Sequence, residues 1–135
     1  MSSTPEAIDV ANVPVAPFNE LLGMTVDHLD PERVVVTLPV KPELLQPFGI
    51  VHGGVYCAMV ETAVSYGAVV AAEGAQMVGV SNHTDFLRAT RDGVLHGEAR
   101  RLQMGRTTQL WEVSITDDKE RLVAHGRVRL MKVDR

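Results

Sequence analysis

Glu61, Ser65 and the pair Gly53-Gly54 stand close together in QPFGIVHGGVYCAMVETAVSYGAVVAA, residues 46–72. Glu61 is the only formally charged side chain between His52 and Glu73, in a run that is otherwise small or apolar. Burying an unpaired carboxylate costs several kcal/mol, so a Glu kept there needs a reason. A water-filled groove, or a structural salt bridge to one of the 13 Lys and Arg residues, would supply one. The neighbours favour chemistry. Ser65 follows at i+4, which puts a hydroxyl on the face of the carboxylate. A helix beginning at Gly53 adds bare N–H groups and the positive end of its dipole, suited to an oxygen that develops negative charge. Carboxylate, hydroxyl and anion-binding amides are the parts of an acyl-transfer site.

Spacing limits how these parts combine. Eight residues of helix separate Gly53 from Glu61 by about 12 Å along the axis, and a Glu side chain spans only part of that gap. If both act on one carbonyl, they come from different chains. Two antiparallel copies of the helix about a two-fold axis would bring Gly53 of one to Glu61 of the other, twice per dimer. Hydrophobicity points the same way: a helix apolar all round needs cover on both sides, and one sheet covers one.

The chain of 135 residues is long enough for one domain that buries roughly 65 to 70 percent of its unfolded surface. A net charge of −4 argues against a nucleic-acid partner. Residues 1–16 show no secretory signal and read as a flexible arm, and residues 17–135 as the single domain. The window from Gly53 to Ala72 is long enough to span a membrane. It is rich in Ala and Gly, carries Glu61 near its centre and lacks a basic flank, so a buried soluble helix is expected. Cys57 is the only cysteine, which excludes an intrachain disulfide and points to the reducing cytoplasm.

The elements that must position the site follow from pattern. Phe18 to Leu22 suits one helical turn stopped by Gly23. Met24 to Leu29 and Arg33 to Val40 read as strands around Asp30-Pro31-Glu32, and Lys41 to Gln46 as a short coil among prolines. After the long helix, ended at Gly74, four strands are expected at Gln76–Leu87, Val94–Leu102, Thr107–Thr116 and Arg121–Met131. The last two alternate most clearly: Trp111, Val113 and Ile115 face one way, and Leu122, Ala124, Gly126, Val128 and Leu130 likewise. Turns at Asp92-Gly93, Met104-Gly105 and Asp117-Asp118-Lys119 suggest that sequence neighbours pair antiparallel. The result is α+β, a curved antiparallel sheet wrapped around one buried helix in ββαββββ order.

Gln46, the run Gly49-Ile50-Val51-His52-Gly53-Gly54, and Glu61 nine residues after the His together resemble the signature of hotdog-fold acyl-CoA thioesterases. The similarity is to the PaaI-like and Arthrobacter-type 4-hydroxybenzoyl-CoA thioesterase group, and the element order extends it over residues 18–132. The resemblance implies that Gln46 orients the attacking water or the thioester, that Gly53 donates its amide to the thioester carbonyl, and that Glu61 is nucleophile or general base. It places Ser65 in a supporting position and implies homodimers that pair into tetramers. Many PaaI-like members carry Asn and Asp where this chain has Gln46 and Glu61. The Arthrobacter-type enzymes carry Gln and Glu together. The implied activity is hydrolysis of an acyl-CoA without metal or other cofactor, coenzyme A being part of the substrate. A non-catalytic acyl-CoA-binding protein is the alternative.

Other candidates are weaker. His52, beside a helix start where the dipole disfavours its charged form, suits a neutral hydrogen-bonding role better than that of a base. His52, Gly54 and Tyr66 are expected to contact substrate. His83 and Asp85 share a strand face but read better as solvated side chains than as metal ligands. Arg88, Arg91, Arg100, Arg101 and Arg106 either form a solvated face or grip coenzyme A phosphates, and Arg106 is the first to test. Pocket walls are expected from Ala58, Tyr66 and the Gln76–Leu87 strand.

Overall fold

The structure is a computed structural model that describes residues 6–134. A 3-10 turn at Val10–Asn12, capped by the Asp9 carboxylate on the Ala11 amide at 3.1 Å, leads to α1 (Pro17–Leu22). Pro17 occupies the first helical position and Gly23 ends the turn with φ 83°, a left-handed conformation that glycine adopts without strain. Then come β1 (Thr25–Leu29), β2 (Arg33–Pro39), a 3-10 turn Pro42–Leu44, and α2 (Gly53–Ala71). The chain closes with β3 (Met77–Phe86), β4 (Val94–Met104), β5 (Thr108–Thr116) and β6 (Leu122–Lys132). Each strand begins and ends within two residues of its expected limits.

The six strands form one antiparallel sheet in the order β1-β2-β4-β5-β6-β3. This corrects one expectation: β3 and β4 are not neighbours. Asp92-Gly93 does turn the chain, with Gly93 at φ 85°, but it belongs to a crossing connection rather than a hairpin. Residues 87–93 pass over the start of α2, where Val51 donates to the Thr90 carbonyl at 2.8 Å and Val40 to that of Gly93 at 2.8 Å. That crossing sends β3 to the free edge beside β6 and leaves β4 to pair with β2.

Period two places the core. On β5, Gln109, Trp111, Val113 and Ile115 point inward, and on β2 Val34, Val36 and Leu38 do the same, all at most 1% exposed. They meet the side of α2 that carries Val60, Ala63, Val64, Gly67 and Ala68. Gly67 fits because the Trp111 ring lies against it; a Cβ there would come within 2.5 Å of Trp111 Cη2. The polar atoms in this layer are paired: Trp111 Nε1 donates to Gln109 Oε1 at 2.7 Å, and Gln109 Nε2 donates to the Ala68 carbonyl at 3.0 Å.

The opposite side of α2 is only half-buried, at Cys57, Ala58, Glu61, Thr62, Ser65, Tyr66, Val69 and Val70. The helix expected to be covered all round is covered by its own chain on one side, because one sheet offers one concave face. This helix is long and apolar enough to cross a membrane, and its sheet-facing side is packed into the core.

Candidate active site

The HGG segment builds the start of α2. His52 is the N-cap, with extended backbone (φ −63°, ψ 136°), and its Nδ1 accepts from the Gly54 amide at 2.8 Å. Its carbonyl accepts from the Val55 amide at 2.9 Å. An accepting Nδ1 carries no proton, so the ring acts here as a helix cap. Gly54 must lack a side chain for this, since a Cβ would come within 2.9 Å of His52 Nδ1. Two of the first helical amides are thereby used, and the Gly53 N–H has no acceptor among the described residues. Phe86 of β3 lies over Gly53, where a Cβ would meet its ring at 2.5 Å.

Gln46 stands beside this helix start because the segment 46–50 folds back on itself. Its amide donates to the Ile50 carbonyl at 2.8 Å, and Leu45 bridges to Val51. Its side-chain Oε1 accepts from the Phe48 amide, and its Nε2 has no hydrogen-bond partner among the described residues. Arg91 Nη1 donates to the Phe48 carbonyl at 3.3 Å and ties the turn to the crossing connection.

Glu61 leans toward the edge strand. Its Oε1 accepts from Asn82 Nδ2 at 3.2 Å, and the same nitrogen donates to the Cys57 carbonyl at 3.1 Å. Asn82 is oriented in turn by the Thr84 hydroxyl, which donates to its Oδ1 at 2.7 Å. The other Glu61 oxygen packs against Gly79, at a place that any Cβ on residue 79 would occupy. The bulge between Gly79 and Ser81 sits next to this contact. Neither Asn82 nor Gly79 is singled out by sequence reasoning. Gly79 carries the only hint, since a glycine inside a strand often marks a close approach.

The remaining candidates divide. Ser65 shares the face of Glu61, but its hydroxyl donates to the Glu61 main-chain carbonyl at 2.7 Å and not to the carboxylate. The Tyr66 hydroxyl is spent within the chain: it accepts from Asn19 Nδ2 at 2.9 Å and donates to the Pro14 carbonyl at 2.8 Å. Arg106 lies at the far end of α2, beside Ala71, Ala72 and Glu73, about 16 Å along the axis from the level of Glu61. Three other arginines serve separate places: Arg91 the 46–50 turn, Arg100 a pair with Glu98 at 3.0 Å, and Arg101 the Pro31 carbonyl at 3.0 Å. His83, His96 and His125 each meet a different carboxylate, on Asp85, Asp118 and Glu112. Among the described residues no three His, Cys, Asp or Glu side chains converge as metal ligands would.

Of the expected pocket walls, Tyr66 lines a cavity of about 700 Å³ on the open side of α2, together with Glu61, Ser65 and the N-terminal arm, and no residue of β3 lines that cavity. Ala58 belongs instead to a smaller hollow of about 300 Å³ shared with His52, Gly54 and Phe18.

A family model described as the thioesterase superfamily matches residues 48–124, from the turn before the helix into β6. The chain belongs to the thioesterase superfamily. It is a hotdog-fold thioester hydrolase. The Mycobacterium tuberculosis protein Rv1847 is 44% identical over 138 residues, 99% of this chain and 98% of that one. Its solved structure superposes with a TM-score of 0.86 over 89% of this chain and 98% of that chain. A Listeria monocytogenes protein named 1,4-dihydroxy-2-naphthoyl-CoA hydrolase is 33% identical over 82% of this chain and 90% of its own length. The proofreading thioesterase EntH of Cronobacter sakazakii is 32% identical over 93% of this chain and 90% of its own.

This thioesterase carries an undonated amide at one point of α2 and an anchored carboxylate eight residues further on. The first can stabilise an oxyanion; the second can attack a carbonyl or take a proton from water. About 12 Å of helix keeps them from meeting on one carbonyl within a single chain.

Proposed function

We propose that this thioesterase hydrolyses the thioester of an acyl- or aryl-CoA at two sites in a homodimer, each using Gly53 of one subunit and Glu61 of the other. The observation that carries the reading is the free Gly53 amide on the helix that also holds Glu61 out of its reach. Two features support a dimer. The edge strand β3 pairs with β6 alone, leaving one row of amides and carbonyls bare, and the Glu61 side of α2 lacks a second layer. The name of the Listeria relative supports a CoA thioester as substrate. A pairing of such dimers into tetramers belongs to the same reading.

In this mechanism the carbonyl oxygen sits against the Gly53 N–H, with the Gln46 Nε2 hydrogens at hand to orient the thioester or a water molecule. Glu61 of the partner subunit either attacks the acyl carbon, giving an anhydride that water then opens, or deprotonates a water that attacks. In both cases the carbon–sulfur bond breaks, oxygen from water ends on the acid, and coenzyme A leaves as the thiol. The fixed amide needs no rearrangement as charge develops on the carbonyl oxygen. Protein groups suffice, so no metal or cofactor enters the scheme, and chelators should leave the rate unchanged. Arg106 is assigned to the CoA phosphates and Arg106→Ala should raise KM. Cys57 as the only cysteine fits the reducing cytoplasm.

Mixing two inactive variants tests the shared site. Gly53→Pro removes the amide hydrogen at a position where helices accept proline, and the exposed Phe86 ring can turn aside for it. Glu61→Ala removes the carboxylate. A heterodimer of the two holds one intact site, so thiol release should reappear on mixing and exchange. Continued inactivity of subunits shown to have exchanged would overturn the shared-site mechanism. Glu61→Ala also separates hydrolysis from mere binding of acyl-CoA: unaltered turnover in that variant removes Glu61 from the chemistry.

A further inference from the structure

We infer that Asn82 and Thr84 are positioning residues for Glu61: together they pin one carboxylate oxygen, Oε1, and leave the other, Oε2, as the oxygen that attacks or takes the proton. This deepens the acyl-CoA reading above and rests on it. The contacts themselves fix how the Asn82 amide is turned. One of its terminal atoms lies 3.1 Å from the Cys57 carbonyl and 3.2 Å from Glu61 Oε1. A carbonyl and a carboxylate only accept, so the atom facing both is the nitrogen, with one hydrogen for each. The other terminal atom is then the oxygen, and the Thr84 hydroxyl at 2.7 Å donates to it. Cys57 precedes Glu61 by one helical turn, so Asn82 ties the carboxylate to the main chain of its own helix.

Thr84 is itself backed by the sheet. It stands opposite Gly126 of β6, where a Cβ would come within 2.7 Å of the Thr84 hydroxyl oxygen and 2.8 Å of Val60 Cγ1, so the glycine makes room for that hydroxyl beside the core. Glu61 Oε2, by contrast, has no hydrogen-bond partner among the described residues and lies against Gly79. The pattern of β3 sets it apart from its fellows. Alternation puts Asn82, Thr84 and Phe86 on one face of the strand, with Asn82 at Glu61 and Phe86 over Gly53. The helix-facing rows of β2 and β5 place Val34, Val36 and Leu38, and Trp111, Val113 and Ile115, against the same helix. A strand that only closed the core would continue those apolar rows. In β3 an amide and a hydroxyl stand there instead, and the amide is bonded to the carboxylate assigned to the chemistry.

Thiol release from benzoyl-CoA, with kcat and KM resolved and each variant shown folded by circular dichroism, tests the pair. Thr84→Val keeps the shape and removes the hydroxyl; kcat should fall by about three- to tenfold with KM little changed. Thr84→Ser, which returns the hydroxyl, should restore kcat. Asn82→Asp keeps the shape but faces the carboxylate with an acceptor, and should lose more kcat than Asn82→Ala does. Because the hydroxyl acts only through the amide, Thr84→Val should cost nothing further in an Asn82→Ala background. Wild-type kcat in Asn82→Ala or in Thr84→Val overturns the proposal, and so does an equal loss in Thr84→Ser and Thr84→Val. If those variants match wild type while Glu61→Gln is inactive, the positioning fails and the acyl-CoA reading stands. Full turnover in Glu61→Gln removes both. A crystal structure of Asn82→Ala gives a readout apart from activity: Glu61 should spread over more than one rotamer, and a carboxylate unmoved from its place against Gly79 overturns the anchor. A wild type that cleaves no acyl-CoA, with Glu61 loosened in Asn82→Ala, ends the acyl-CoA reading and leaves the anchor standing.

Discussion

The two sides of α2 obey different rules. Toward the sheet, Val60, Ala63, Val64 and Ala68 are fully buried and pack on side chains of matching size such as Trp111 and Val113, a surface fixed by volume. Away from the sheet, Glu61, Ser65 and Tyr66 are half-buried and tied by specific hydrogen bonds to a strand edge, to the main chain and to the arm. One helix thus carries the core on one side and, on the other, the carboxylate proposed to react. Substitutions on the sheet side should cost stability, and substitutions on the open side should cost rate.

The sharpest break of that division would come from Glu61. Glu61→Gln keeps the size and should lower kcat by about 10³-fold or more with little change in the melting temperature. Thiol release and thermal denaturation on the same preparation check it, and a large loss of stability with retained turnover would reverse the roles of the two sides. Trp111→Ala is the mirror experiment. Removing that fully buried ring should cost about 3 to 5 kcal/mol of stability, read in denaturant titration, while kcat per folded molecule stays near wild type.

Smaller effects sharpen the open side. In Gly79→Ala the new methyl takes the place of a Glu61 oxygen, and a carboxylate displaced by about an ångström can cost roughly 100-fold in kcat. Asn82→Ala removes the donor to that carboxylate and should lower kcat by about tenfold with KM little changed. If KM rises instead while kcat holds, Asn82 contacts substrate and does not position Glu61.

How much of this was legible in the sequence depends on how local each cause is. The ββαββββ order and the strand limits came through because alternation in residues such as Trp111, Val113 and Ile115 is a property of neighbours along the chain. The spacing of Gly53 and Glu61 on one helix is local in the same sense. The place of β3 was not legible: Asp92-Gly93 signals a turn, yet nothing in the turn says that the chain then crosses the sheet. Asn82 meets Glu61 across 21 positions, and Pro14 meets Tyr66 across 52. Such contacts are set by the tertiary fold, so the carboxylate's support and the cavity under the arm leave no pattern beyond a glycine inside a strand. Ser65 shows the opposite failure. Its i+4 spacing places it correctly, but a serine in a helix readily bonds the carbonyl one turn back, and here it does.

The smallest effect lies outside α2, at the β1–β2 turn, where a loss of stability and none of rate is expected. Asp30 is buried there, and burial by itself pushes its carboxyl up. The His28 ring at 2.6 Å and the amides of Glu32 and Arg33 at 2.7 and 2.8 Å outweigh that, so its pKa lies below the usual carboxylate value. A lowered value in the folded state means that the stabilisation is present above the unfolded value of 3.8 and is lost as pH falls through the folded one. Asp117, held low chiefly by the Arg121 amide, and Asp118, held low chiefly by His96, act in the same direction. Asp30→Asn should therefore cost about 1 kcal/mol at neutral pH and progressively less below pH 4, measured as urea midpoints across that range. Thiol release at pH 7 should not change. A drop in kcat would show that the β1–β2 turn, which reaches the arm through Leu29 and Ile8, also sets the position of the open face.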